Sequence, residues 1–159
     1  MSRPPSDGLE RAALSDRDFQ RLAAWRYALR RFLGFSECAA RRAGLSPSQH
    51  QLLLCVRGFP KGQPTVADLA EHLQIRHHSV VGLLDRCERA GLVRRRDHPQ
   101  DRRRVLVSLT PRGRRVLQSL TLVHLRELAS LAPAFPVGAP LLSTLGAPSP
   151  IGREQGAAE

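Results

Sequence analysis

Lysine is almost missing from this sequence: of its 25 basic residues only Lys61 is a lysine, and the others are arginine. Cysteine is nearly as sparse. Cys38, Cys55 and Cys87 lie far apart, odd in number and without a CxxC pair, which argues against a disulfide framework and for a reducing compartment. No charged, then apolar, then small-residue pattern opens the chain, so a cytoplasmic location is expected. An unbroken apolar run of membrane-spanning length is also lacking. Residues 128–152 carry no charge, but Pro133, Pro136, Pro140, Pro148 and Pro150 interrupt them, and Gly138 and Gly146 weaken them further. Paired carboxylates, a Gly-rich phosphate loop and a nucleophile–histidine arrangement are missing, so an enzyme is not expected. His72, His77 and His78 have no acidic or cysteine partner at ligand spacing, and neither a metal nor another cofactor is expected.

What the chain has is positive charge. Its 159 residues suit one domain with a single core, and its formal net charge of +11 points to polyanionic partners. Arginine suits phosphates and base edges because its planar fork donates bidentately and never loses its proton. A general arginine bias would explain the choice of arginine over lysine, but not the clustering. Between residues 76 and 104 nine arginines face only Asp85, Glu88, Asp97 and Asp101, a net +5 in 29 residues.

The pattern divides the chain into five parts. Residues 1–14 mix proline, glycine and charge without periodicity and read as a loose arm. Residues 15–44 read as a helix through Phe19, Leu22, Trp25 or Arg26, Leu29, Leu33 and Ser36, ended by Gly44, with Gly34 marking close packing or a bend. Residues 45–109 hold the charged unit. It opens on "SPSQ", a capping box of Ser46 and Gln49 with Pro47 in the first turn. A second capped helix, "TVADLAEHLQI", is followed by a short turn over Ile75–His77 and a third helix over 78–92. In that helix Val80, Leu83, Leu84 and Cys87 face inward and Arg86 and Arg89 outward. Two helices joined by so short a turn must cross steeply, as in a helix-turn-helix. "LVRRR", the turn "DHPQD" and "RVLVSLT" then form a hairpin with Val105, Val107 and Leu109 on one face. Residues 110–131 read as a long helix capped by Thr110, with a stripe of Val116, Leu117, Leu120, Val123, Leu125 and Leu128. Residues 132–159 are rich in Ala, Pro and Gly, with at most one short helical piece over 140–145.

The fold class is therefore mainly α with a small β-wing: a winged helix-turn-helix whose second helix suits the DNA major groove. Its outward face carries Arg76, His77, His78, Ser79, Gly82 and Arg86. The wing adds Arg94, Arg95, Arg96, Asp101, Arg102, Arg103 and Arg104. Two amphipathic helices at the chain's ends cannot both be covered by the centre, so a homodimer through the N- and C-terminal helices is expected, binding double-stranded DNA about a two-fold axis. The alternative is an architectural or RNA-binding basic protein that recognises only charge and shape.

The stretches "TVADLAEHLQIRHHSVVGLLDRCERAGLVRR" (65–95) and "DRRRVLVSLTPRGRRVL" (101–117) resemble the MarR-type winged-helix repressors, over about Asp18 to Leu131. The resemblance implies a homodimeric, sequence-specific repressor, with Arg103 reaching the minor groove while Asp101 holds it. It places Leu83, Leu84, Asp85 and Arg86 in the recognition-helix motif. It also implies a small aromatic or phenolic effector bound between the dimerisation helices and the DNA-binding unit, where Trp25, Tyr27, Phe32, Phe35 and His50 are candidates. Some relatives sense oxidants through a cysteine; Cys38, near Arg41 and Arg42, is the candidate here. The proline-broken tail departs from the family pattern, which has a further regular helix there.

Overall fold

The computed structural model describes residues 14–131. Their order is α1 (Asp16–Arg42), α2 (Pro47–Gly58), α3 (Val66–Leu73), α4 (His77–Arg89), β1 (Val93–His98), β2 (Asp101–Leu109) and α5 (Pro111–Ser130). The tail, with the short helical piece expected over 140–145, lies outside the described residues. Among those described, no helix is long and apolar enough to cross a membrane.

Short-range chemistry sets most helix ends. The Gln49 N–H donates to Ser46 Oγ at 3.2 Å, and the Ser46 N–H to Gln49 Oε1 at 2.8 Å, which satisfies two amides that α2 cannot pair internally. Thr65 and Asp68 do the same for α3. Thr110 accepts from the Gly113 N–H at 3.0 Å and donates its hydroxyl to the Gly91 carbonyl at 2.6 Å, so the cap of α5 also ties that helix to the end of α4.

The helix expected over 78–92 is α4, and its bounds differ. It starts at His77, capped only by the backbone of Arg76, and stops at Arg89. Gly91, at φ +66°, turns the chain out of the helix, and the Leu92 N–H closes back on the Cys87 carbonyl at 2.9 Å. Leu92 and Val93 are then free to enter the core as the root of β1. The turn before α4 runs through Gln74, whose left-handed φ of 52° reverses the chain in few residues.

The two strands pair antiparallel, with Val93 opposite Leu109, Arg95 opposite Val107 and Asp97 opposite Val105. A register irregularity at Asp97–His98 precedes the tight turn. The wing is docked as well as paired: the Val107 N–H donates to the Pro64 carbonyl at 2.9 Å, and Thr65 bridges Leu106. One core joins the unit, with Leu52 and Leu53 of α2, Leu69 of α3, Val80, Leu83, Leu84 and Cys87 of α4, Val107 of β2 and Leu117 and Leu120 of α5 all buried.

The outer helices are less covered. On α1 only Ala28, Ser36 and Ala40 are buried, while Phe19 and Leu22 keep 58% and 56% of their surface open. An added Cβ at Gly34 would meet nothing within 4 Å, so no close packing occurs there among the described residues. The α5 stripe is also revised. Leu117 and Leu120 turn inward as expected, but the next inward place belongs to His124, and Val123 is exposed.

Candidate nucleic-acid interface

Packing fixes which face of α4 is presented. With Val80, Leu83, Leu84 and Cys87 turned into the core, Arg76, His77, His78, Ser79, Arg86 and Arg89 are left exposed. Gly82 is half-buried one turn before Arg86, whose guanidinium comes within 3.7 Å of where a Gly82 Cβ would stand. The Arg89 Nε donates to the Asp85 carbonyl at 3.3 Å. Beside this face, Arg94, Arg96, Arg103 and Arg104 are exposed on the wing, which also carries Arg102 in β2. A hollow of about 360 Å³ lies between the start of α3, α4 and the wing, lined by His77, Val81, Arg95, Arg103 and Arg104 among others.

The wing arginines are not equivalent. Arg103, with 93% of its side chain open, has its main-chain N–H on Asp101 Oδ1 at 3.1 Å and its Nε on the same oxygen at 3.4 Å. That holds the arginine at the wing tip without burying it. The Arg94 Nε donates to Ser108 Oγ at 3.3 Å across the strands. Arg95, expected among the DNA-binding residues of the wing, has its guanidinium engaged with Glu88 and Asp85 of α4. These bonds hold the Glu88 carboxyl below its ordinary pKa and raise that of Arg95.

The five effector candidates separate in the structure. Tyr27 is exposed at 59%, and Trp25 is also exposed. His50 is buried, and Phe32 and Phe35 are half-buried. These last three gather round His124, which sequence reasoning missed. The His124 ring stacks on His50 at 4.7 Å and meets Phe32 and Phe35 edge-on at 5.9 Å each. Its Nδ1 lies 2.6 Å from the Leu120 carbonyl, which can only accept, so Nδ1 carries a proton, and its Nε2 lies 2.7 Å from Ser36 Oγ. His50 Nδ1 is buried without a hydrogen-bond partner, and burial first, then the nearby His124, holds the His50 pKa low. His50 and Ser36 also line a cavity of about 400 Å³ between α1, α2 and the turn after α3, together with Leu33, Leu73, Ile75 and Leu83.

The cysteines differ by burial. Cys38 is exposed on α1, and its neighbour Arg41 is paired with Glu37 at 3.1 Å. Burial raises the Cys55 thiol pKa and pushes the Cys87 thiol up to about 11, which leaves both protonated and unreactive at neutral pH.

Residues 43–104 match the model of the MarR family. Among curated proteins the chain is similar to the HTH-type transcriptional repressor YetL of Bacillus subtilis, 26% identical over 55% of this chain and 53% of that protein. It is also similar to an uncharacterized HTH-type transcriptional regulator of the same organism, YfiV, 37% identical over 48% of this chain and 46% of that protein. The chain thus spans about half the length of the curated relatives it matches. Among solved structures, a MarR family protein from Bacillus stearothermophilus superposes with a TM-score of 0.67 at 22% identity, over 84% of this chain and 96% of that one.

Proposed function

We propose that the chain, whose residues 43–104 match the MarR family model, is a winged helix-turn-helix regulator of that family, which binds a pseudo-palindromic operator as a homodimer and acts as a repressor responsive to a small ligand or another signal. The observation that carries the reading is the continuous exposed cationic face of α4 and the wing, backed by a fully packed core that fixes its shape. A helix of this exposure fits the major groove, where Arg86 can donate bidentately to a guanine edge. Arg103, steadied by Asp101, then suits the narrower adjoining groove, and Arg94, Arg96, Arg102 and Arg104 suit phosphates. The first turn of α4 has no side-chain cap, so the amides of His77 and His78 are also available to a phosphate oxygen, while that of Ser79 donates to the Arg76 carbonyl.

The dimer is supported by the apolar side chains that α1 and α5 leave exposed, Phe19, Leu22, Leu33, Leu122 and Val123 among them. A second copy related by a two-fold axis would cover them and set two α4 helices about one DNA turn apart. The effector is supported by the cavity beside His50. Its mixed lining, apolar at Leu33, Leu73, Ile75 and Leu83 and polar at Ser36, Glu37, Ser48, Gln51 and His72, suits a small molecule with both an apolar body and polar groups. A ligand there would alter DNA affinity to the extent that it prefers one spacing of the α4 helices.

Selection of bound fragments from random DNA, followed by competition binding, tests the reading. A palindromic consensus bound at least about a thousandfold more tightly than unrelated DNA is expected at physiological salt. Equal affinity for all sequences, or preference for RNA, would replace the regulator with an architectural or RNA-binding protein.

A further inference from the structure

Three arginines in a row open the wing, and strand geometry gives them different surroundings. Successive side chains of a strand point to opposite faces. Arg94 and Arg96 are exposed, whereas Arg95 shares the face of the buried Val93 and lies opposite the buried Val107. That face looks onto α4. There the Arg95 guanidinium donates from Nε to Glu88 Oε2 at 3.0 Å, and from Nη2 to Glu88 Oε2 at 2.7 Å and Asp85 Oδ1 at 2.5 Å. The Arg95 main-chain N–H completes the set on Glu88 Oε1 at 3.1 Å. A lone exposed ion pair contributes little to holding two elements together. Here one forked guanidinium and one amide of β1 converge on two carboxylates one turn apart on α4, and only 29% of the Arg95 side chain is open to solvent. Such charge-assisted, multiply bonded contacts fix geometry as well as adding energy.

We propose that Arg95 is a positioning residue for DNA recognition, a clamp that fixes the wing against α4 through Glu88 and Asp85, and does not itself neutralise a phosphate. The proposal rests on the DNA-binding reading above. Through the clamp, the exposed arginines of the wing and those of α4 meet the duplex as one rigid surface. An arginine so engaged would have to leave both carboxylates before it could reach a phosphate.

Glu88→Gln in the full chain is the decisive variant, because charge and position predict opposite signs for it. It removes a negative charge beside a polyanion and loosens Arg95, so an electrostatic view expects tighter binding. The clamp expects weaker binding, on the order of tenfold, with every arginine retained. Arg95→Lys keeps the charge but cannot span both carboxylates, so it is expected to lose affinity to a similar degree. Its salt dependence should stay at the wild-type slope, whereas Arg94→Ala flattens that slope by about one if Arg94 contacts a phosphate. Hydrogen exchange without DNA gives an independent reading: in Glu88→Gln and Arg95→Lys the amides of residues 96–105 should exchange faster while those of α2 stay protected. Tighter binding by Glu88→Gln, wild-type affinity in Arg95→Lys, or unchanged wing exchange would each overturn the clamp. A wild-type chain with no sequence preference would sink the regulator reading instead, and the exchange result would still decide whether Arg95 locks the wing.

Discussion

Leu84 on α4 and Leu22 on α1 both lie on the apolar stripe of an amphipathic helix, yet Leu84 is completely buried and Leu22 keeps more than half of its surface open. Around Leu84 the same chain supplies everything needed: α2, α3, the wing and α5 close over one core. Around Leu22 the described residues supply almost nothing. Periodicity in a sequence specifies that a face will be buried, but not what will bury it. The centre of this molecule is finished by its own chain, while the first half of α1 is shaped for another surface, a second copy in the reading proposed above.

The largest effects should come from breaking the finished half. Leu84→Ala removes a fully buried side chain from the junction of α4 with its neighbours and should cost about 2–5 kcal/mol, read as a lowered denaturant midpoint at constant slope. A loss below about 1 kcal/mol would mean that the centre repacks freely, against the close packing described. Gly113 comes next. A Cβ added there would stand 2.0 Å from the Leu92 carbonyl oxygen, a backbone atom with no rotamer to change. Gly113→Ala should therefore push α5 away from the root of β1 and cost about 1–3 kcal/mol by overpacking.

The unfinished half should respond differently. Phe19→Asp combined with Leu22→Asp alters side chains that touch little of their own chain, so the monomer's stability should change by less than about 0.5 kcal/mol. Its association should not survive: sedimentation of the double variant is expected to show a monomer where the parent chain is a dimer. A parent chain that is already monomeric, or a variant that still dimerises, would assign the apolar face of α1 to something other than a second copy.

Much of this arrangement was readable from residue order, because the devices that set it are local. The capping pairs Ser46–Gln49 and Thr65–Asp68, the glycine after α4 and the alternation of Val105, Val107 and Leu109 all act within a few residues. The helix-turn-helix and wing follow from them. What escaped depends on residues far apart in the chain. His124 meets Ser36 across 88 residues, and nothing in either local pattern announces that an interior hydroxyl waits for an imidazole. The bar on any side chain at Gly113 comes from Leu92, on another element. Arg95 is an intermediate case. Inside "RRR" it looks like its neighbours, but the strand period already places it with Val93, and Glu88 follows Asp85 on the outward side of α4. That signal was present and was hidden by reading the triplet as charge alone.

The smallest expected effect probes the seam between the two halves, where α1, α2 and α5 meet at His50 and His124. Burial and the nearby His124 hold the His50 pKa below its ordinary 6.5 in the folded chain, so the unfolded chain takes up a proton that the folded one resists. Stability from this site is therefore complete above about pH 6.5 and declines as the pH falls below it towards the folded pKa. Asp68 and Glu88 in the finished half also lose stability in acid, but their folded pKa values lie below ordinary carboxylate values of 3.8 and 4.5, so their window opens at lower pH. His50→Leu should flatten the stability profile between pH 7 and 5 and leave the steeper fall below about pH 4 untouched. If the profile of His50→Leu between pH 7 and 5 matched that of the parent chain, the acid sensitivity would not come from His50, and His50 would be a packed ring like the phenylalanines beside it.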